Sequence, residues 1–256
     1  MKTKLLRLLV VMTISITALF VLGMTASAET VGAFEVTGGT NGTDYTYADG
    51  VLTINTATAL TIKNTDTSTA TTDKIVVASG VSANITLAEV NIDVSGTNNV
   101  AAVSITNGST ANITLVGSNT LTGGYNAPGV FVAKDNTVSF TAASTGSLTA
   151  SGNNQAPGIG ASATAEGGHI IVNGGDITVI AGGYTATNAL GSAFANCNKP
   201  AQSFTMTGGK VCAVPTKGFS GGNFGDNVAT TAVTVSGDII ISGGIFISQF
   251  ENIQSH

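Results

Sequence analysis

Tryptophan is absent, arginine occurs once (Arg7), histidine and cysteine twice each, and charged side chains make up only 9% of the 256 residues. So little charge, beside so many β-branched residues, excludes a disordered chain, which needs low hydrophobicity and charge repulsion to stay open. The excess of Gly, Thr and Asn excludes long helices. No His-Glu-x-x-His, Cys-x-x-Cys or EF-hand loop occurs, so no familiar metal motif is present. Neither Gly-x-Gly-x-x-Gly ahead of a helix nor Gly-Lys-Ser/Thr is found, which removes the phosphate-binding loops. Many short strands with frequent turns is the composition that remains.

The first 28 residues form a separate unit. Lys2, Lys4 and Arg7 precede an apolar stretch from Leu8 to Leu22, and small residues follow at Ala26 and Ala28. This pattern predicts a secretory signal peptide cut after Ala28; a membrane anchor is the alternative, disfavoured by the short apolar core and the Ala-x-Ala site. No cysteine stands near the cut to carry a lipid, and no apolar tail closes the chain. Without the leader, six lysines face fourteen acids, a net charge of −8. Nucleic acid and acidic membrane surfaces are therefore poor partners, whereas surface carboxylates could hold Ca²⁺. Export would permit a disulfide between Cys197 and Cys212; two free thiols are the alternative, since spacing alone supplies no geometry.

The chain repeats. "HIIVNGGDITV" (169–179), "SFTMTGGKVCA" (203–213) and "DIIISGGIFIS" (238–248) align without gaps at steps of 34 and 35 residues. Ile170, Phe204 and Ile239 form one apolar column, and Val172, Met206 and Ile241 a second. Ile177, Val211 and Phe246 follow the turn. Each copy reads as strand, Gly-Gly corner, strand, with glycine supplying a backbone free to take positive φ. Upstream, "NITL" (84–87) recurs at 112–115, "TVSF" follows at 137–140, and another column runs Ile92, Leu121, Leu148, Ile177, Val211, Phe246. "AVSI" (102–105), "APGVFV" (127–132), "APGIGA" (156–161) and "NALGSA" (188–193) supply a third strand per repeat. Three short strands at an irregular period near thirty predict an all-β solenoid: a single-stranded parallel β-helix, taken as right-handed, of about six to seven coils. A β-sandwich is the rival, but it gives no reason for gapless copies.

Residues 29–80 are expected to cap or open this solenoid and 81–256 to form its repeats. "DYTYADGVLTINTATALTIKN" (44–64) reads as two or three strands around the Ala-Asp-Gly turn at 48–50, and 64–73 as a polar loop. At the far end Ile240, Ile245 and Ile247 should point outward, so this coil either contacts a partner or belongs to a longer protein.

Catalysis finds little support. A polysaccharide lyase needs a base beside Ca²⁺-held carboxylates, yet the leaderless chain has no arginine and six scattered lysines. A hydrolase needs two carboxylates close together, and the acids are spread singly; Asp93, on an outer strand position, has no evident partner. His169 should face solvent. Asp66, Asp73 and Asp176 are the compositional candidates for Ca²⁺. One constellation suits sugar. The loops "GGYNAPG" (123–129), "GNNQAPG" (152–158) and "GGYTATNALG" (182–191) belong to successive coils and should stack on one edge. They present Tyr125, Asn126, Asn153, Asn154, Gln155, Tyr184 and Asn188. An aromatic face takes the C–H side of a pyranose and amides take its hydroxyls. The plainer reading makes the asparagines turn formers and packs the tyrosines over the corners.

"ADGVLTI", "KIVVASGVSANITLAEVNID", "APGIGA" and "GGHIIVNGGDITVIAGG" resemble the Gly-rich β-helix segments of Gram-positive gut bacterial surface proteins. More distantly they resemble a clostridial family of calcium-binding, carbohydrate-binding β-helix proteins. The likeness spans residues 44 to 250; it implies a surface adhesin or glycan binder and transfers no ligand residue. The expectation is a secreted or cell-surface, non-catalytic polysaccharide-binding module. A structural stalk is the main alternative, with a lyase-like enzyme and an ice-binding Thr-rich face behind it.

Overall fold

The computed structural model describes residues 27–162, 165–182, 200–214 and 236–248. The leader expected at 1–28 lies almost wholly outside the described residues, as do Tyr184, Asn188 and Cys197. The first strand, Ala28–Val31, begins at the proposed cut.

The described chain is all-β, without a helix, in three sheets. Nine strands form the largest, in the order Ala28–Val31, Phe34–Thr37, Ala59–Asn64, Ser82–Ala88, Thr110–Val116, Thr137–Phe140, His169–Val172, Ser203–Met206, Ile239–Ile241. A six-stranded sheet runs Asn91–Asp93, Ser118–Thr122, Ser147–Ser151, Asp176–Ile180, Lys210–Val214, Ile245–Ser248. The third runs Tyr45–Ala48, Val51–Ile54, Lys74–Val77, Val103–Ile105, Val130–Val132, Ile159–Gly160. From Ser82 to Gly160 the chain visits the three sheets in the same order on each circuit, and each strand pairs in parallel with its counterpart one circuit away. We call one such circuit a rung.

Most strands alternate buried and solvent-touching residues, as in Thr137–Phe140 and Ser147–Ser151. A half-buried strand requires this period of two. Inward Ile, Val, Leu and Phe side chains from all three sheets join in one buried cluster, which the final pair Ile239 and Ile241 do not enter. The Gly-Gly repeats stack in the expected register, with Ile170 beside Phe204 and Phe204 beside Ile239. Their two glycines serve different ends. The second, at 175, 209 and 244, has φ of 86°, 77° and 86°. The first approaches the previous corner so closely that a Cβ on Gly208 would lie 2.6 Å from the Asn173 carbonyl oxygen.

Two registers differ from expectation. Leu121 pairs with Ala150, not Leu148, and Ile113 pairs with Phe140, so "NITL" and "TVSF" do not align at their first letters. Both slips are of two residues, which keep every side chain on its proper face and so leave no trace in the hydrophobic pattern. Asn119 instead pairs with Leu148. Its carbonyl accepts the Val90 amide at 2.9 Å, and its amide donates to the Val116 and Ser147 carbonyls at 3.2 and 3.0 Å. Asn64 and Asn136 are buried in the same manner, each bonded to backbone on a neighbouring rung.

At the N-terminal end, Ala28–Val31 and Phe34–Thr37 form an antiparallel pair, and Phe34–Thr37 runs antiparallel to Ala59–Asn64. Tyr45–Ala48 and Val51–Ile54 form a hairpin across Asp49 and Gly50, both at positive φ, as a two-residue Asp-Gly loop favours. The hairpins cover the end of the stack, while Ala59–Asn64 starts its parallel ladder. At the other end Ile240, Ile245 and Ile247 are exposed as expected; Ile239 and Ile241, inward by register, are exposed as well.

Candidate functional site

The loops at 123–129 and 152–158 do lie against each other on one edge. The Asn153 amide donates to the Ala127 carbonyl at 3.2 Å, and Gly123 donates to Ser151 at 2.9 Å. The preceding loop joins them, with Asn99 donating to the Tyr125 carbonyl at 2.8 Å and Tyr125 to that of Thr97 at 2.9 Å. Asn126 and Asn154 both take left-handed φ, near 60° and 55°, which asparagine tolerates better than most residues. Their side chains meet, the Asn154 amide donating to the Asn126 carbonyl. Tyr125 is 45% exposed, the sole exposed aromatic among the described residues. Asn126, Asn153 and Gln155 are half-buried at the surface, whereas Asn154 is buried and serves the stacking of the loops.

The three aspartates expected for Ca²⁺ are occupied separately. Asp66 accepts the Ser68 hydroxyl at 2.6 Å and the Ser68 amide at 2.9 Å, which hold its carboxyl below the ordinary value. Asp73 accepts the Ala33 amide at 2.9 Å and the Tyr47 hydroxyl at 2.6 Å, tying the N-terminal hairpins to the first corner. Asp176 pairs with Lys210 at 3.1 Å across neighbouring rungs. Among the described residues no three His, Cys, Asp or Glu side chains gather into a metal-binding group. Cys212 is half-buried on the outer side of its strand with a free thiol. His169 touches solvent and meets the Ser203 hydroxyl at 2.8 Å.

A different corner carries a cleft that the sequence did not reveal. It measures about 660 Å³ and opens between three successive rungs, at Thr106–Gly108, Ala133–Asn136 and Ala165–Glu166. Lys134 and Glu166 close an ion pair of 2.7 Å on its wall, and that carboxylate holds the Lys134 ammonium above its usual pKa. Asp135 stands at φ 64°. Gln202, from beyond the next rung, clamps it twice: the Asp135 amide donates to the Gln202 carbonyl at 2.7 Å, and the Gln202 amide donates to Asp135 Oδ1 at 2.8 Å. Buried Asn136 fixes the base of the corner by donating to the Ala133 and Lys134 carbonyls. "NG" (107–108) and "KDN" (134–136) are ordinary turn signals in the sequence. Only the stacking of rungs brings Glu166 and Gln202 to them. No helix among the described residues is long and apolar enough to cross a membrane. No family model, characterised protein or solved structure gives a significant match to this chain.

Proposed function

We propose that the three sheets are the faces of one single-stranded parallel β-helix, right-handed in the usual sense of parallel connections, and that it is an exported, non-catalytic module binding polysaccharide. The constant order of sheet visits from Ser82 to Gly160 and the single buried cluster support the coil. The leader pattern and the resemblance to bacterial surface β-helices support export and adhesion. The observation that carries the ligand class is Tyr125, exposed on a stacked loop edge beside Asn126, Asn153 and Gln155. A flat ring beside amides suits a pyranose.

The lysines favour binding over a lyase reaction. Lys63, Lys134 and Lys210 each pair with a carboxylate, and the hydrogen bonds that Lys63 and Lys134 donate to Glu89 and Glu166 raise the pKa of both lysines. A base must lose its proton near working pH, and these are held protonated. Glycan-array binding that Tyr125→Ala or Asn153→Ala abolishes is the expected result. Uronate release from a polyuronate supplied with Ca²⁺ would overturn the non-catalytic reading. A stalk or spacer is the second reading, favoured by the Asn154–Asn126 bond, which takes up two candidate ligand groups in stacking. It predicts a rigid rod in solution scattering and no glycan bound.

A further inference from the structure

We infer that the cleft at Asn107, Asp135 and Glu166 binds sugars bearing a free, protonated amine, so that the polymer recognised is an amino-sugar chain and not a polyuronate. The inference rests on the polysaccharide reading and adds a second site, on a different edge from Tyr125. Charge decides the class. Two carboxylates and one ammonium line the cleft. Glu166 pairs with Lys134 at 2.7 Å and the Asp135 charge also acts on that ammonium, so the three groups together leave one negative charge in excess on the lining. The Gln202 clamp is neutral and engages Oδ1 and the backbone amide, so it fixes Asp135 without discharging it. A held carboxylate binds better than a mobile one, because its ordering cost is met before the ligand arrives. An ammonium on such an acceptor makes a charge-assisted hydrogen bond, stronger than a neutral one. Asn107 beside it offers an amide to ring hydroxyls.

The size and the wider field agree. A volume of about 660 Å³ falls among small-molecule sites, and the cleft is open to solvent. Fourteen acids against six lysines outside the leader repel a uronate and draw a polycation. That general attraction makes a control on a remote acid essential.

The test measures retention of the full chain on four insoluble polymers: a β-linked glucosamine polymer, its N-acetylated counterpart, a neutral β-glucan and a cross-linked polyuronate. Glucosamine polymer should be retained most strongly, and less so as salt rises. Asp135→Asn should weaken that binding about tenfold, the worth of one charge-assisted hydrogen bond. Glu166→Gln should weaken it further by leaving Lys134 to repel the amine. Asp93→Asn, at an exposed acid elsewhere, should leave it unchanged, and the melting temperature of each variant reports its folding. Equal retention on the acetylated polymer would overturn the inference, as would equal losses from Asp93→Asn and Asp135→Asn. Binding lost with Tyr125→Ala but untouched by the cleft variants would overturn the cleft and keep the polysaccharide reading. Retention on none of the four would overturn both.

Discussion

Asn119 lies directly across from Leu148, one rung away, in a column continued by Ile177, Val211 and Phe246. An amide can occupy that place because its oxygen accepts from the Val90 amide and its nitrogen donates to the Val116 and Ser147 carbonyls. Among the described residues no buried side-chain nitrogen or oxygen lacks a partner.

Asn119→Ala should therefore destabilise the protein by about 3 kcal/mol, since it strands a buried amide hydrogen and removes two further bonds. Chemical denaturation measures it. A loss no larger than that of an exposed Asn84→Ala would show that the three bonds contribute nothing net.

The Gly-Gly corners make a sharper contrast. Gly209 combines φ 77° with a Cβ position 2.7 Å from the Gly175 carbonyl oxygen, and Gly208 stands against the Asn173 carbonyl without positive φ. Gly209→Ala should cost about 1–3 kcal/mol, and Gly208→Ala a comparable amount from contact alone. Gly96 has open space and no positive φ. Gly96→Ala should stay within about 0.5 kcal/mol of the parent. Thermal melts of the three separate corner geometry from general chain entropy.

The N-terminal cap should loosen at both ends of the pH scale. Burial, then the hydrogen bond to Glu29 and the charges of Glu29 and Asp44, push the Tyr45 hydroxyl up to about 12. A raised acid pKa contributes stability that is full below the ordinary 10 and is lost as pH climbs through about 12. Glu29 is held low by Asn41 and Tyr45, and Asp44 by Thr58, Thr56 and the Thr40 amide. Their contributions are present above the ordinary 4.5 and 3.8 and fade as pH falls through the lower folded values. Tyrosine absorbance followed through the alkaline range, with melts at acid pH, checks both limbs.

Tyr47→Phe removes the hydroxyl bond to Asp73 and leaves that carboxylate the Ala33 amide. Hydrogen exchange should quicken by about tenfold in residues 28–48, the loss of one bond to a charged group, and stay unchanged beyond 110. Uniform quickening along the chain would mean that the hairpins and the stack unfold together.

The strands Ile239–Ile241 and Ile245–Ser248 carry exposed isoleucines. Ile245 is 58% exposed and Ile240 49%. Ile240→Lys and Ile245→Lys should leave the melting temperature nearly unchanged, since neither side chain is buried, and should reduce concentration-dependent association in light scattering. Unaltered association would place the adhesive contact elsewhere.

The stacking of Ile170 on Phe204 and Ile239, and of Asn84 on Asn112, was legible because gapless repeats carry their own register. The pairing of Leu121 with Ala150 was not, because a slip of two preserves the buried face and only the partners of Asn119 distinguish the registers. The loops at 123–129 and 152–158 meet on one edge, yet nothing local in their residues signals that Asn154 is buried with its amide on Asn126. Asp135 lies in an ordinary turn signal, and its partner Gln202 stands 67 positions later, beyond the reach of any local pattern.

Alternation of apolar with Thr, Ser and Asn residues, and glycine at the bends, settled from the sequence which side chains are buried and where the chain turns. Both are local properties, fixed by the period of an extended strand and by the absence of a Cβ. Which strands slip by two residues, which asparagines are buried, and what lines the cleft were decided only by the tertiary structure. Those outcomes depend on hydrogen bonds between residues 27 to 67 positions apart, and no local pattern encodes such a pairing.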